Sequence, residues 1–318
     1  MTGGIDKLDL RIPGGAELQP KFEGFLTYMS RCDPSGRVYA TKLYEKRAEF
    51  GRHGCKWNVS LKNRRDGNHK LELIGVGSMT LKEMKQEISQ VFDVDTDDLG
   101  ILRIDVCADV VGYPVDWFYE NARLRHKRND RQWGQFQTEH RKLETLYFGQ
   151  RPNLFRVYDR IGCLRDQYRR LKSRRDLNEK VPTFEELYGY PEEGVIITRT
   201  ERQYGGGKIP AQIRTIHKLQ ENATRLNPFE PMQFLPFAMS DGSLNDLTGN
   251  DFIRAHGFLR LLENHGYQRT KQILDRKTGR NTGRLFTQLA KSVASDETNR
   301  PPDLDAIFQQ AVSQQLTG

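Results

Sequence analysis

Tyr158 stands between Arg156 and Arg160 in the run Phe155-Arg156-Val157-Tyr158-Asp159-Arg160. Apolar and polar residues alternate there, the period of a strand with one face in a core. Phe155 and Val157 are expected to point inward, and the tyrosine outward with its cations. A tyrosine hydroxyl can attack a phosphodiester and form a covalent intermediate. It needs cations to take up the charge that develops on the phosphate. Arg156 is the expected charge stabiliser, and Arg160 and Arg199 are expected phosphate grips, because a guanidinium meets two phosphate oxygens at once.

Carboxylates recur at matching parity elsewhere. Asp105 and Asp109 lie four apart in the run 101–110, so they share one face, and Arg103 and Cys107 share it with them. Glu72 lies in Lys70-Leu71-Glu72-Leu73 and Glu201 in Thr198-Arg199-Thr200-Glu201. Hard cations take oxygen ligands. Asp105, Glu201, Glu72 and Asp109 are therefore the expected holders of Mg2+ or Mn2+, which would act as Lewis acid and template. Asp109 taken alone is an ordinary solvated strand aspartate.

The charge distribution fits a polyanionic partner. The 318-residue chain has a net charge of +8, yet the stretch 123–175 alone holds 16 Lys or Arg against 5 Asp or Glu. Arg151, Arg169 and Arg170 lie in it and, with Arg103, Arg160 and Arg199, are the expected DNA contacts. A solvated helical face is the plainer explanation of such a run. Other chemistries are excluded by absence: no GxxxxGK[ST] loop, no GxSxG elbow and no His-apolar-His triplet occurs. The four cysteines form no CxxC pair, against zinc, and no disulfide framework is expected. A signal peptide is not expected, nor a membrane partner, since no apolar run approaches ~20 residues. The expected location is the cytoplasm.

These residues need a sheet to bring them together. Strands are expected at 5–12, 36–46, 56–61, 71–76, 101–110, 143–148, 155–159 and 195–203. Apolar residues 81, 84, 88 and 91 have helical spacing, and Thr80 with Glu83 forms a capping-box pattern. Further helices are expected from Pro114 into the basic stretch, at 165–177, 211–225, 251–265 and 270–293, and after Pro301-Pro302. Two parts follow: 1–226, which carries the chemistry, and a helical 227–318 for DNA binding or oligomerisation. A faint repeat is also present: Lys42-Leu43-Tyr44-Glu45-Lys46 parallels Arg156-Val157-Tyr158-Asp159-Arg160. It predicts an α+β fold with a mostly antiparallel, pseudo-duplicated central sheet and helices on one face. It also makes Tyr44 a second candidate nucleophile.

Three ordered blocks carry a family resemblance. They are Gly100-Ile101-Leu102-Arg103-Ile104-Asp105-Val106-Cys107-Ala108-Asp109, then Thr145-Leu146-Tyr147-Phe148-Gly149-Gln150-Arg151 with Phe155 to Arg160, then Ile197-Thr198-Arg199-Thr200-Glu201. Over residues 5–225 the chain resembles the Rep_trans-type replication initiators and relaxases. These include rolling-circle plasmid initiators, conjugative-element relaxases and, more distantly, filamentous-phage initiators of the gene II kind. Lys70-Leu71-Glu72-Leu73 is similar to a further element of that family. The resemblance implies strand-specific nicking of origin DNA, a 5′-phosphotyrosyl link at Tyr158 and a free 3′-OH that primes synthesis. It implies metal at Asp105 and Glu201, and makes a host helicase a candidate partner. Arg160 stands where the family usually has Lys, and Thr198 and Thr200 where it prefers apolar residues. The alternative is a non-catalytic, sequence-specific DNA-binding regulator of an origin or recombination site. The oligomeric state is left open.

Overall fold

The computed structural model describes residues 3–32, 38–52, 55–124, 132–137, 143–150, 153–174, 182–234, 248–278 and 302–317. Its first half runs β1 (Gly3–Ile12), β2 (Glu17–Leu18), α1 (Pro20–Cys32), β3 (Val38–Tyr39), β4 (Tyr44–Arg52), β5 (Cys55–Asn63), β6 (His69–Ile74), a 3-10 turn (Val76–Ser78) and α2 (Leu81–Val91). After β7 (Phe92–Asp93), the second half runs β8 (Gly100–Val111), α3 (Val115–Asn121), β9 (Ala122–Leu124), β10 (Gln132–Gln137), β11 (Leu143–Gln150), β12 (Asn153–Asp159), α4 (Arg160–Arg174), α5 (Phe184–Tyr188), β13 (Ile197–Gly205), a 3-10 turn (Gly206–Lys208) and α6 (Ile216–Asn222). Beyond it come β14 (Met232–Phe234) and two helices, Gly249–Thr278 and Leu304–Thr317.

Ten strands form one antiparallel sheet in the order β10-β11-β12-β13-β8-β1-β6-β5-β4-β3. That order reads the same outward from the β1–β8 seam in both directions. Each half is a strand, a helix, an antiparallel run of four strands, a 3-10 turn and a helix, with α4 and α5 inserted between β12 and β13 in the second. The repeat is therefore a property of the fold, and the fold is α+β as expected. The register corrects its alignment. Glu72 faces Asn58 on β5 as Glu201 faces Arg156 on β12. Two residues on, Ser60 faces Lys70 as Tyr158 faces Arg199. The counterpart of Tyr158 is therefore Ser60, and Tyr44 opens β4, six strands from β12 and roughly 30 Å away at ~4.8 Å per strand.

Alternation makes the two faces differ. Leu8, Leu10, Trp57, Val59, Leu71, Leu73, Ile104, Val106, Phe155 and Val157 line a single apolar core. Helices cover that side. Phe22 of α1 meets Phe50, which stacks on Trp57, and Phe118 of α3 is fully buried in the same core. The Thr80 capping box is present at the start of α2. Leu304, Phe308 and Val312 bring the last helix onto β1 and β8. Its Gln315 accepts from the Ile5 N–H at 2.7 Å and donates to the Ile5 carbonyl at 3.2 Å. The boundary expected after residue 226 thus leaves this helix outside a unit whose core it shares.

Other boundaries differ from the pattern. The run 36–46 is two strands, β3 and β4, separated by a turn in which the Thr41 hydroxyl accepts the Tyr44 N–H at 2.9 Å. The helix after Pro114 ends at Asn121, whose side-chain amide caps the Trp117 carbonyl at 2.7 Å. Residues 249–278 are one helix, running through Gly266 where the expected helices 251–265 and 270–293 were separate, and the stretch 279–301 lies outside the described residues. No helix among the described residues is long and apolar enough to cross a membrane.

Candidate active site

The second half's polar face carries two cross-strand rows. One reads Thr145, Tyr158, Arg199, Asp109 across β11, β12, β13 and β8. The next reads Tyr147, Arg156, Glu201, Cys107. Asp105 follows on β8, opposite Gln203. Tyr158, Arg156, Glu201 and Asp105 therefore meet on one side of one sheet, as their parity predicts.

Their contacts are polar and dense. Arg156 pairs closely with Glu201 Oε1, and its same Nη2 lies 3.9 Å from Asp105 Oδ2. Arg103 grips Asp105 with two hydrogen bonds, at 2.7 and 2.5 Å. The Tyr158 hydroxyl lies 3.4 Å from Glu201 Oε2. Asp105 and Glu201 are almost wholly withdrawn from solvent, at 1% and 2% exposure. Burial, with Asp105 and Asp6 nearby, pushes the Glu201 carboxyl up to about 7 against the pull of Arg156. Burial likewise raises the Tyr158 hydroxyl well above its ordinary value, against the pull of Arg199. Cys107 is a buried thiol, held protonated by desolvation.

Not every expected ligand joins this centre. Asp109 is gripped by Arg199 through two hydrogen bonds, at 2.6 and 2.7 Å. Glu72 lies in the first half, bonded to Lys70 at 2.6 Å and Asn58 at 3.0 Å. The metal set expected from sequence is thus split over three places. Arg199 is an internal ion-pair partner with 6% exposure, where a phosphate grip was expected. Arg160 opens α4 half-buried. Arg169 and Arg170 are exposed further along α4, the former 3.1 Å from Asp166. Arg151 lies outside the described residues, as does part of the basic stretch 123–175.

Asp6 is the residue that parity missed. A bulge between Ile5 and Lys7 on β1 turns it toward the polar side. There it accepts from Arg199 Nη1 at 2.6 Å. Its even number placed it with Leu8 and Leu10, and no motif signals the bulge.

An insertion closes one end of this face. α4 and α5 build a small separate core of Ile161, Leu164, Tyr168 and Phe184 with Ile197. Ile197 shares the parity of Arg199 and Glu201 on β13, so these helices sit against the polar side. A cleft of about 300 Å³ remains between them and the hairpin, lined by Thr145, Tyr147, Arg156, Tyr158, Asp159 and Gly162 among others. A phosphate entering it meets the tyrosine and Arg156 together.

Among the described residues, no three His, Cys, Asp or Glu side chains form a ready-made metal cluster. Asp105 and Glu201 are a fitting pair for Mg2+, which is commonly held by one or two carboxylates plus substrate phosphate and water. The Arg156 guanidinium now bridges them. No protein-family model and no curated protein matches the chain.

Proposed function

We propose that the chain is a site- and strand-specific DNA nicking and closing transesterase that initiates rolling-circle replication of a phage or plasmid. One observation carries this reading: a tyrosine, an arginine and two buried carboxylates converge beside a cleft on one sheet face. The resemblance to Rep_trans-type initiators points the same way.

The chemistry follows from the contacts. The Tyr158 oxygen attacks the scissile phosphorus, and the bond to the 3′-oxygen breaks. Glu201 Oε2, 3.4 Å from the hydroxyl, is placed to accept the tyrosine proton, and a carboxyl raised by burial to about 7 is suited to take it. The 3′-oxygen leaves and takes up a proton, while the 5′-phosphate stays on the tyrosine. Arg156 neutralises the charge gained by the phosphate. Asp105 and Glu201 would hold a divalent cation, which when bound supplies Lewis-acid stabilisation of the same charge.

The protein is incubated with supercoiled DNA of its own replicon and Mg2+ or Mn2+. Nicked circles with protein joined to a 5′ end are expected, and are absent for Tyr158→Phe but retained for Tyr44→Phe. Tight binding with no nicking sinks the proposal. It would favour the second reading, a non-catalytic DNA-binding regulator, for which the saturation of Asp105 and Glu201 by arginine speaks.

A further inference from the structure

The first half has a row that answers to the catalytic one, and its composition is different. It reads Arg47, Ser60, Lys70, Arg11 across β4, β5, β6 and β1. The second half's row is Thr145, Tyr158, Arg199, Asp109. One cation balanced by one acid has become three cations with no acid in the row. The nucleophile position holds a serine.

One donor in this row is buried and unpaired among the described residues: Ser60 Oγ, on a residue with no exposure, has no hydrogen-bond partner there. Arg47 Nε makes no hydrogen bond among them either and lies 3.4 Å from Glu49 Oε1. Ser60 lies opposite Arg47 on one side and Lys70 on the other. The Lys70 ammonium bonds Asp9 at 2.9 Å and Glu72 at 2.6 Å. Among the described residues Arg47 makes two long ion pairs, at 3.4 Å to Glu49 and 3.6 Å to Glu72. Arg11 is exposed. Buried donors ordinarily have partners, and a hydroxyl flanked by cations is the donor set that a phosphate oxygen accepts from. In the neighbouring row, Asn58 Oδ1 is a buried acceptor without a donor among the described residues. Among the described residues no helical insertion joins β5 to β6 as α4 and α5 join β12 to β13; the short turn 64–68 links them.

We propose that the first half is a non-catalytic phosphate site, in which Ser60, Arg47 and Lys70 hold a backbone phosphate of single-stranded DNA. It rests on the DNA function proposed above. The sheet then grips one strand at two places related by the β1–β8 seam, cutting at one and holding at the other.

The test is binding of a fluorescein-labelled dT30 oligonucleotide, followed by anisotropy at several salt concentrations. Arg47→Gln is expected to weaken binding several-fold and to reduce the slope of log K against log salt by about 0.7, the loss of one single-strand phosphate contact. Ser60→Ala is expected to weaken binding about threefold with the slope unchanged, since it removes a neutral donor. Lys82→Gln, on the exposed side of α2, serves as the control and leaves both unchanged. Wild-type affinity and slope in Arg47→Gln and Ser60→Ala overturn the inference, as does a wild-type protein that does not bind dT30. Nicking of replicon DNA is scored on the same preparations. Loss of nicking with these binding effects intact would remove the transesterase proposal alone.

Discussion

Two carboxylates at equivalent positions behave in opposite ways. Glu72 and Glu201 occupy matching places on β6 and β13, each facing the strand that precedes it. Burial would raise both. At Glu72, hydrogen bonds from Lys70 and Asn58 overcome it and hold the carboxyl at about 2. Its side chain keeps 13% exposure and shares its cations with Asp9. At Glu201, only 2% of the side chain is exposed, two further acids press on it, and the carboxyl rises to about 7. The same backbone thus supports an acid spent on structure and an acid poised to move a proton. What differs is the helical insertion and the identity of three neighbours: Arg156 for Asn58, Tyr158 for Ser60 and Arg199 for Lys70.

The comparison can be broken first through its cations. Arg199→Met leaves Asp109 buried without its partner and is expected to cost about 3–5 kcal/mol of stability in urea unfolding. Lys70→Met, at a partly exposed position, is expected to cost about 1 kcal/mol. Equal costs would mean that the two rows are equally solvated. A smaller effect separates the acids by pH. A carboxyl raised in the fold stabilises it when protonated, below about 4.5, and that stabilisation is lost as pH rises through about 7. A carboxyl held low stabilises the fold above about 4.5, and the contribution is lost as pH falls toward about 2. Glu201→Gln is therefore expected to flatten the stability profile between pH 5 and 8, by roughly 1–2 kcal/mol. Glu72→Gln should act below pH 5 instead. Scans of melting temperature against pH distinguish them.

Metal binding should follow the same proton. A cation at Asp105 and Glu201 needs the ionised form, so Mn2+ affinity by calorimetry is expected to fall about fivefold between pH 7 and pH 6. A flat profile would detach Glu201 from the metal. The smallest contrast lies at the helix starts. Thr80 caps α2 within a full capping box, whereas Thr215 caps α6 by one bond of 3.3 Å from the Lys218 N–H. Thr80→Ala should cost about 1 kcal/mol and Thr215→Ala about half that.

Much of this was legible in the chain. Alternation placed Tyr158, Arg156, Asp105 and Glu201 on one face, because strand parity is local and needs no tertiary knowledge. The duplication was legible as a faint motif, but its register was not. Tyr44 matched Tyr158 in flanking residue types, whereas the true counterpart, Ser60, shares none of its chemistry. Pairing register is decided across strands, and a five-residue motif contains no information on it. Asp6 was hidden for a related reason, since a bulge reverses parity without a marker in the residue types. The burial of Arg199 was not legible because its partners, Asp109 on β8 and Asp6 on β1, lie 90 and 193 positions away in sequence, and no periodicity reports such a pairing.

The last helix gives the molecule a schedule. Gln315 closes on Ile5 across 310 positions, and a side chain at Gly4, whose φ is +102°, would collide with it. During synthesis each half can form its own hairpins as it emerges. The apolar floor of the β1–β8 seam stays open until residues 304–317 have been made. The polar face above that seam, whose two ends carry the two rows, is thus braced only once residues 304–317 have been made, and a chain cut short before residue 304 would carry every site residue on an unclosed sheet.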